Sequence, residues 1–124
     1  MNVVKNETTE IYLNRIIHHI IEKKGEDIVV IDLRGISSIT DYFIIATGTS
    51  NIHLKAIADE IREKLKKENN IIPWHTEGYR TQKWILLDYV NVVVHIFDPV
   101  TRSYYSLEKL WEDAEIKKVE TENY

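Results

Sequence analysis

Between Thr9 and Lys24 the apolar residues Leu13, Ile16, Ile17, Ile20 and Ile21 recur three and four positions apart, the stripe that an α-helix turns toward a core. Thr8 or Thr9 is placed to cap its start and Gly25 to stop its end. Residues 27–33, DIVVIDL, are apolar and β-branched on both faces, which predicts a buried strand rather than an edge. A second strand is predicted at Tyr42 to Thr47, followed by a turn through Gly48, Thr49, Ser50 and Asn51. That turn opens a second helix, whose face is traced by Leu54, Ile57, Ala58, Ile61 and Leu65 to about Lys67. Pro73 then interrupts the chain, so residues 74–79 read as a short or edge strand leading into a turn near Gly78. Lys83 to Tyr89 and Asn91 to Phe97 are two strands with almost nothing between them, a tight antiparallel hairpin. Asp98 and Pro99 begin a helical end, where Ser106 can cap a short helix holding Leu107, Leu110 and Trp111. The order of elements predicts a single-domain α/β fold, with a mixed sheet of about five strands and flanking helices, over residues 1–113. Residues 114–124 are expected as a charged, frayed tail.

Composition narrows the function more than the fold. A chain of 124 residues, 44% hydrophobic and 29% charged, has material for one core and not two. Folding at this size buries roughly 65% of the surface the unfolded chain exposes, enough to dispense with staples. The absence of cysteine removes disulfide frameworks, thiolate metal sites and cysteine nucleophiles, and suits a reducing compartment. The opening MNVVKNETTE has neither the basic-then-apolar form of a secretory signal nor the arginine-rich form of a transit segment, and no apolar run approaches the ~18 residues of a membrane span. A cytoplasmic protein is therefore expected. The net charge of −4 repels nucleic-acid phosphates on average, so direct RNA contact is expected to be minor. The densest basic segment, Lys64, Lys66 and Lys67, is interleaved with Glu60, Glu63 and Glu68 and reads as a solvated helix face. A basic protein is the partner that fits an acidic surface.

Several motifs, weak singly and specific together, run through most of the chain in order. Asp32 to Ser50, DLRGISSITDYFIIATGTS, joins a strand ending in glycine, a serine pair, an Asp-Tyr-Phe strand and a Gly-Thr-Ser turn. Ala56 to Asp59, then Glu77 and Gly78, then Trp84 to His95, WILLDYVNVVVH, and finally Tyr105, Leu107, Glu108, Leu110 and Trp111 continue the pattern. Over roughly residues 9–113 the chain resembles the Iojap-like ribosomal silencing factors. The resemblance implies an α/β fold distantly related to nucleotidyltransferases, a homodimeric tendency, and binding to the fourteenth protein of the large ribosomal subunit. That protein lies on the intersubunit face, so a factor seated there blocks subunit joining and lowers translation when nutrients run short, without catalysis or cofactor. A role in large-subunit maturation would use the same docking site. One departure is Val90, where the family usually has glycine; valine resists positive φ, so the hairpin turn is expected to differ locally from the family's.

The alternative of a nucleotide-binding enzyme rests on Gly48, Thr49 and Ser50, which mimic the Gly-Ser turn that nucleotidyltransferases use. Their metal-binding carboxylate pair has no counterpart beyond Asp113-x-Glu115 at the chain's end, and helix capping by Thr49 and Ser50 is the simpler account. His18 and His19 are adjacent on a helix, while His53, His75 and His95 are isolated; no two histidines have the i, i+4 spacing of a helical metal site, so no metal is expected. His95, in an apolar strand, reads as a hydrogen-bonded core or interface histidine. On the strand that Trp84 begins, Trp84, Leu86 and Asp88 share one face and Ile85 and Leu87 the other. Pattern alone leaves open whether Trp84 anchors a partner or is buried in a two-sided sheet. The resemblance favours the interface, because partner binding in the family uses this part of the sheet. Glu77 and Tyr79 lie beside that hairpin as secondary contacts. Asp41 and Tyr42 are either a surface acid and aromatic at the same interface or plain turn chemistry. Trp111, Leu107 and Leu110 are expected to dock the last helix on the core.

Overall fold

The computed structural model describes residues 2–121, with side chains from Thr9 onward. Its elements are α1 (Asn2–Glu22), β1 (Glu26–Asp32), β2 (Tyr42–Thr47), α2 (Asn51–Asn69), β3 (His75–Glu77), β4 (Trp84–Asp88), β5 (Val92–Phe97), α3 (Pro99–Tyr105), α4 (Leu107–Leu110) and β6 (Glu115–Lys118). The strands form one sheet in the order β3-β4-β5-β2-β1-β6. At its centre β2 runs parallel to β5, and the four other pairings are antiparallel.

Alternation along each strand divides the core in two. The helices α1 and α2 cover one face with Ile16, Ile17, Ile20, Leu54, Ile57 and Ile61, which pack on Ile44, Ile85, Leu87, Val94 and Ile96 of the sheet. Each of these aliphatic side chains contributes about 1.5–3 kcal/mol by leaving water. The opposite face carries a smaller cluster of Val29, Ile31, Leu33, Ile45, Phe97 and Leu107, against which Phe43, Trp84 and Trp111 are only partly buried. Among the described residues α3 and α4 are the helices on this side, and Phe43, Trp84 and Trp111 stay partly exposed there.

Local chemistry explains the element ends. Ser50 caps α2 by accepting from the His53 amide at 3.0 Å, and Asp98 caps α3 by accepting from the Thr101 amide at 2.7 Å. At the end of α1 it is Lys24, at φ +62, that takes the left-handed position, while the Gly25 amide closes the turn on the Ile20 carbonyl at 2.9 Å. At the β4–β5 turn Val90 takes φ +73 despite its branched Cβ, and the Asn91 amide bonds the Tyr89 carbonyl at 2.9 Å across it. The turn therefore has the backbone of a glycine turn with a valine in it. The Val90 amide is held by the Asp88 carboxylate at 2.8 Å.

Four expectations are corrected. Helix α1 begins well before residue 9, so Thr9 is a buried residue within the helix and not its cap; the side chain of Thr8 lies outside the described residues. The sheet has six strands rather than about five, because Glu115 to Lys118, expected to fray, pair with β1. That pairing is what makes β1 an interior strand, as its two-sided apolar pattern demanded. Ser106 sits at φ +46 and makes no side-chain cap to α4; its hydroxyl donates instead to the Ser103 carbonyl at 2.6 Å. Of the last-helix residues, Leu107 is buried and Trp111 packs edge-on against Phe43 with ring centroids 6.0 Å apart, whereas Leu110 is 72% exposed and docks nothing.

Candidate partner-binding face

This partly exposed face centres on Trp84. Register places Trp84 opposite Phe97, Leu86 opposite His95, and Asp88 opposite Val93, while Glu77 of β3 stands beside Leu86 and His75 beside Asp88. The Trp84 indole stacks on Phe97 with centroids 4.7 Å apart and meets the Tyr105 ring at 4.8 Å. Its N–H donates to His95 Nδ1 at 3.0 Å. Trp84 is thus neither a free surface anchor nor fully buried: one side of the ring is packed, and the residue remains half-buried. Gly78 (φ +86) permits this arrangement, since a Cβ there would overlap the Trp84 carbonyl oxygen.

His95 is 3% exposed, and burial pushes its pKa down to about 4, so the ring is neutral. Accepting from Trp84 at Nδ1 places its proton on Nε2, which has no hydrogen-bond partner among the described residues. Phe43 meets the ring edge-on at 4.5 Å. His95 therefore holds Trp84 in orientation from below, an apolar-strand histidine acting as an acceptor rather than a base.

The structure brings together four of the seven candidate residues, Trp84, Leu86, Asp88 and Glu77, on one face, and separates the others. Tyr79 packs with the α1–α2 core, with the Arg62 guanidinium 5.2 Å from its ring centroid. Burial raises the Tyr79 phenol pKa, against the effect of Arg62. Tyr42 also belongs to the helix-covered face, 6% exposed beneath Arg34, which lies 5.1 Å from its ring centroid. Asp41 is at the sheet's end, where its amide bonds the Asn91 carbonyl at 3.1 Å and its carbonyl accepts from Leu33 at 2.8 Å. Strand parity, which alternates through Tyr42, Ile44 and Ala46, could have shown that Tyr42 shares no face with Trp84. The same parity on β5 adds His95 and Val93 to the Trp84 face, and on β2 it adds Phe43.

The Gly48–Ser50 turn is occupied with structural work. The Thr49 amide donates to His53 Nδ1 at 2.9 Å, and His53 Nε2 in turn donates to the Lys23 carbonyl at 2.7 Å, tying the turn to the end of α1. A Cβ on Gly48 would come within 2.7 Å of Leu54 Cδ1, so glycine is needed there for close helix–strand approach. Glu115, the second carboxylate of the Asp113-x-Glu115 spacing, pairs with Asp32 at the far end of β1 from the residue that faces Thr47. Turn and carboxylates stand at opposite ends of the sheet. Asp32 itself is engaged by Arg34 at 2.7 and 3.0 Å, which holds its pKa below the ordinary carboxylate value.

Among the described residues no helix is long and apolar enough to cross a membrane. Comparison with known proteins supplies the family. Residues 6–124 match the family described as "Ribosomal silencing factor during starvation". The ribosomal silencing factor RsfS of Bacillus subtilis is 46% identical over 93 residues, covering 75% of this chain and 78% of that protein. A mouse protein named "Mitochondrial assembly of ribosomal large subunit protein 1" is 35% identical over 94 residues, which cover 73% of this chain and 40% of the mouse protein. Among solved structures, a Chromobacterium violaceum protein superposes with a TM-score of 0.79 at 35% identity, covering 83% of this chain and 85% of that one. A Bacillus halodurans protein superposes at 0.74 and 37% identity, covering 90% and 98%. On these matches, carried through fold and sequence alike, the chain belongs to the ribosomal silencing factor family.

Proposed function

We propose that this chain silences translation by docking on the large ribosomal subunit, through that subunit's fourteenth protein, and excluding the small subunit by its bulk. The observation that carries the reading is the Trp84 face, a half-buried tryptophan with Leu86 beside it and Asp88 and Glu77 at its margin. An apolar centre with an acidic rim is the composition that recognises a basic protein surface. The action is steric, needs no cofactor, and belongs in the cytoplasm under nutrient limitation. With a net charge of −4, contact with ribosomal RNA is subordinate to protein contact. The free protein is a homodimer in this reading. The name of the mouse relative supports a second use of the same docking, in large-subunit assembly.

Co-sedimentation with isolated large and small subunits, followed by a subunit-joining assay on the same samples, tests the proposal. Binding to the large subunit alone, with joining inhibited, is the expected result; binding to neither subunit would sink it. Trp84→Ala should weaken docking by ~2 kcal/mol or more. Because Trp84 also stacks on Phe97 and bonds His95, this variant loses folding stability as well. Glu77→Lys, at an exposed position, separates the two effects: docking should fall while the unfolding midpoint moves little.

A further inference from the structure

In the groove between α1 and α2, away from the Trp84 face, three donor side chains converge. His18 Nε2 and His19 Nδ1 lie 3.3 and 3.2 Å from the same Glu22 oxygen, Oε1. One donor atom from each of the three residues can be chosen so that all lie within 4.8 Å of one another. A tetrahedral zinc ion holds its nitrogen and oxygen ligands at ~2.0–2.2 Å, so neighbouring ligand atoms stand ~3.3–3.5 Å apart. Two edges of such a tetrahedron are already present. The His18 ring is half exposed and free to close the third.

The surroundings of His19 match the second requirement of a metal site. Its side chain is 4% exposed, and its other nitrogen, Nε2, has no aligned hydrogen bond, yet Glu68 Oε1 of α2 lies 3.3 Å away. Carboxylates thus face both ring nitrogens, Glu22 at Nδ1 and Glu68 at Nε2. With a cation on Nδ1 the ring's proton resides on Nε2 and is offered to Glu68, the carboxylate–histidine–metal relay typical of zinc sites. Glu68 is itself held by Arg15 at 3.3 Å. Lys64 also lines the groove and opposes a cation there, but it is on the far helix and can swing into solvent.

We infer that His18, His19 and Glu22 form a site for a zinc-class divalent cation, with Glu68 orienting His19 across the α1–α2 groove. Two imidazoles and one carboxylate favour zinc, cobalt or nickel over magnesium or calcium. The fourth position opens to solvent and takes water. Bound metal would pin the last turn of α1 to α2. Spacing of histidine pairs could not reveal the site, because the i, i+4 partner of His18 is a glutamate. The inference does not depend on the ribosomal reading.

Untagged, chelator-stripped full-length protein is titrated with Co2+, followed by visible absorption, and with Zn2+, followed by calorimetry and thermal unfolding. The expected result is one ion per chain at micromolar affinity or tighter, intense visible bands of low-coordinate cobalt, and a raised unfolding temperature. His18→Gln and Glu22→Gln, both at exposed positions, should each weaken binding at least tenfold with unchanged circular dichroism. Glu68→Gln should weaken it by roughly tenfold. No saturable binding by the parent protein, or binding unchanged in His18→Gln and Glu22→Gln, would overturn the site. Unchanged affinity in Glu68→Gln would overturn the orienting role.

Discussion

His95 links the middle of β5 to the chemistry of solution. In the folded chain its pKa is pushed down to about 4, while in the unfolded chain it returns to about 6.5. Between those values the unfolded state binds the extra proton, so the stability that His95 contributes is present above pH 6.5 and is lost as pH falls toward 4. Chemical denaturation should show about 2 kcal/mol less stability at pH 5 than at pH 7 from this residue alone. His95→Gln should flatten that slope. Val90 is a second residue with a measurable cost. At φ +73 its branched side chain is strained, and Val90→Gly should stabilise the fold by about 1 kcal/mol, read as a higher denaturation midpoint at unchanged slope. Both residues stood out in the sequence, one as a histidine in an apolar strand and the other as a valine at a glycine position. What the sequence did not contain was the bond from Trp84, which joins His95 to the candidate face.

Strand β6 shows why one element was missed. All four of its residues are exposed, so the strand has no hydrophobic alternation to read; it is held by backbone pairing to β1. Deleting residues 115–124 should lower stability by more than ~1 kcal/mol and speed amide exchange along β1, whose outer backbone groups would lose their partners. The start of α1 failed for a different reason, since Thr8 and Thr9 have the chemistry of a cap but Thr9 is buried inside a longer helix. By contrast, α2 and the β2 boundaries were legible because burial and capping chemistry agreed in both. The helical end is fixed by Arg102, which donates to the Asp27 carbonyl at 2.7 Å, to Thr47 at 2.8 Å, and to Glu108 at 2.9 and 3.1 Å. No lysine can span those acceptors, so Arg102→Lys should cost about 2 kcal/mol in thermal or denaturant unfolding.

The molecule as a whole is a sheet with one face sealed by two long helices and the other closed only in part. The sealed face was readable from periodicity, because strong 3.6- and 2-residue patterns interlock there. The open face was readable only as a choice between core and interface at Trp84, and the structure combines the two. Tyr79 adjoins the hairpin in sequence yet packs on the helix-covered side, and Tyr42 falls on that side by its parity along β2. If the acidic rim guides docking, association should slow with rising salt while dissociation changes little, a pattern that stopped-flow measurements at two ionic strengths would separate.

The sheet order has a consequence for synthesis. Strand β1 is among the first elements made, yet its outer neighbour β6 ends at Lys118. At ~5–20 residues per second, translation leaves that flank of β1 bare for on the order of ten seconds. A row of unpaired amides beside Val29 and Ile31 is an adhesive edge, open to any extended chain nearby. The nascent protein is therefore most prone to mispairing until β6 has been made.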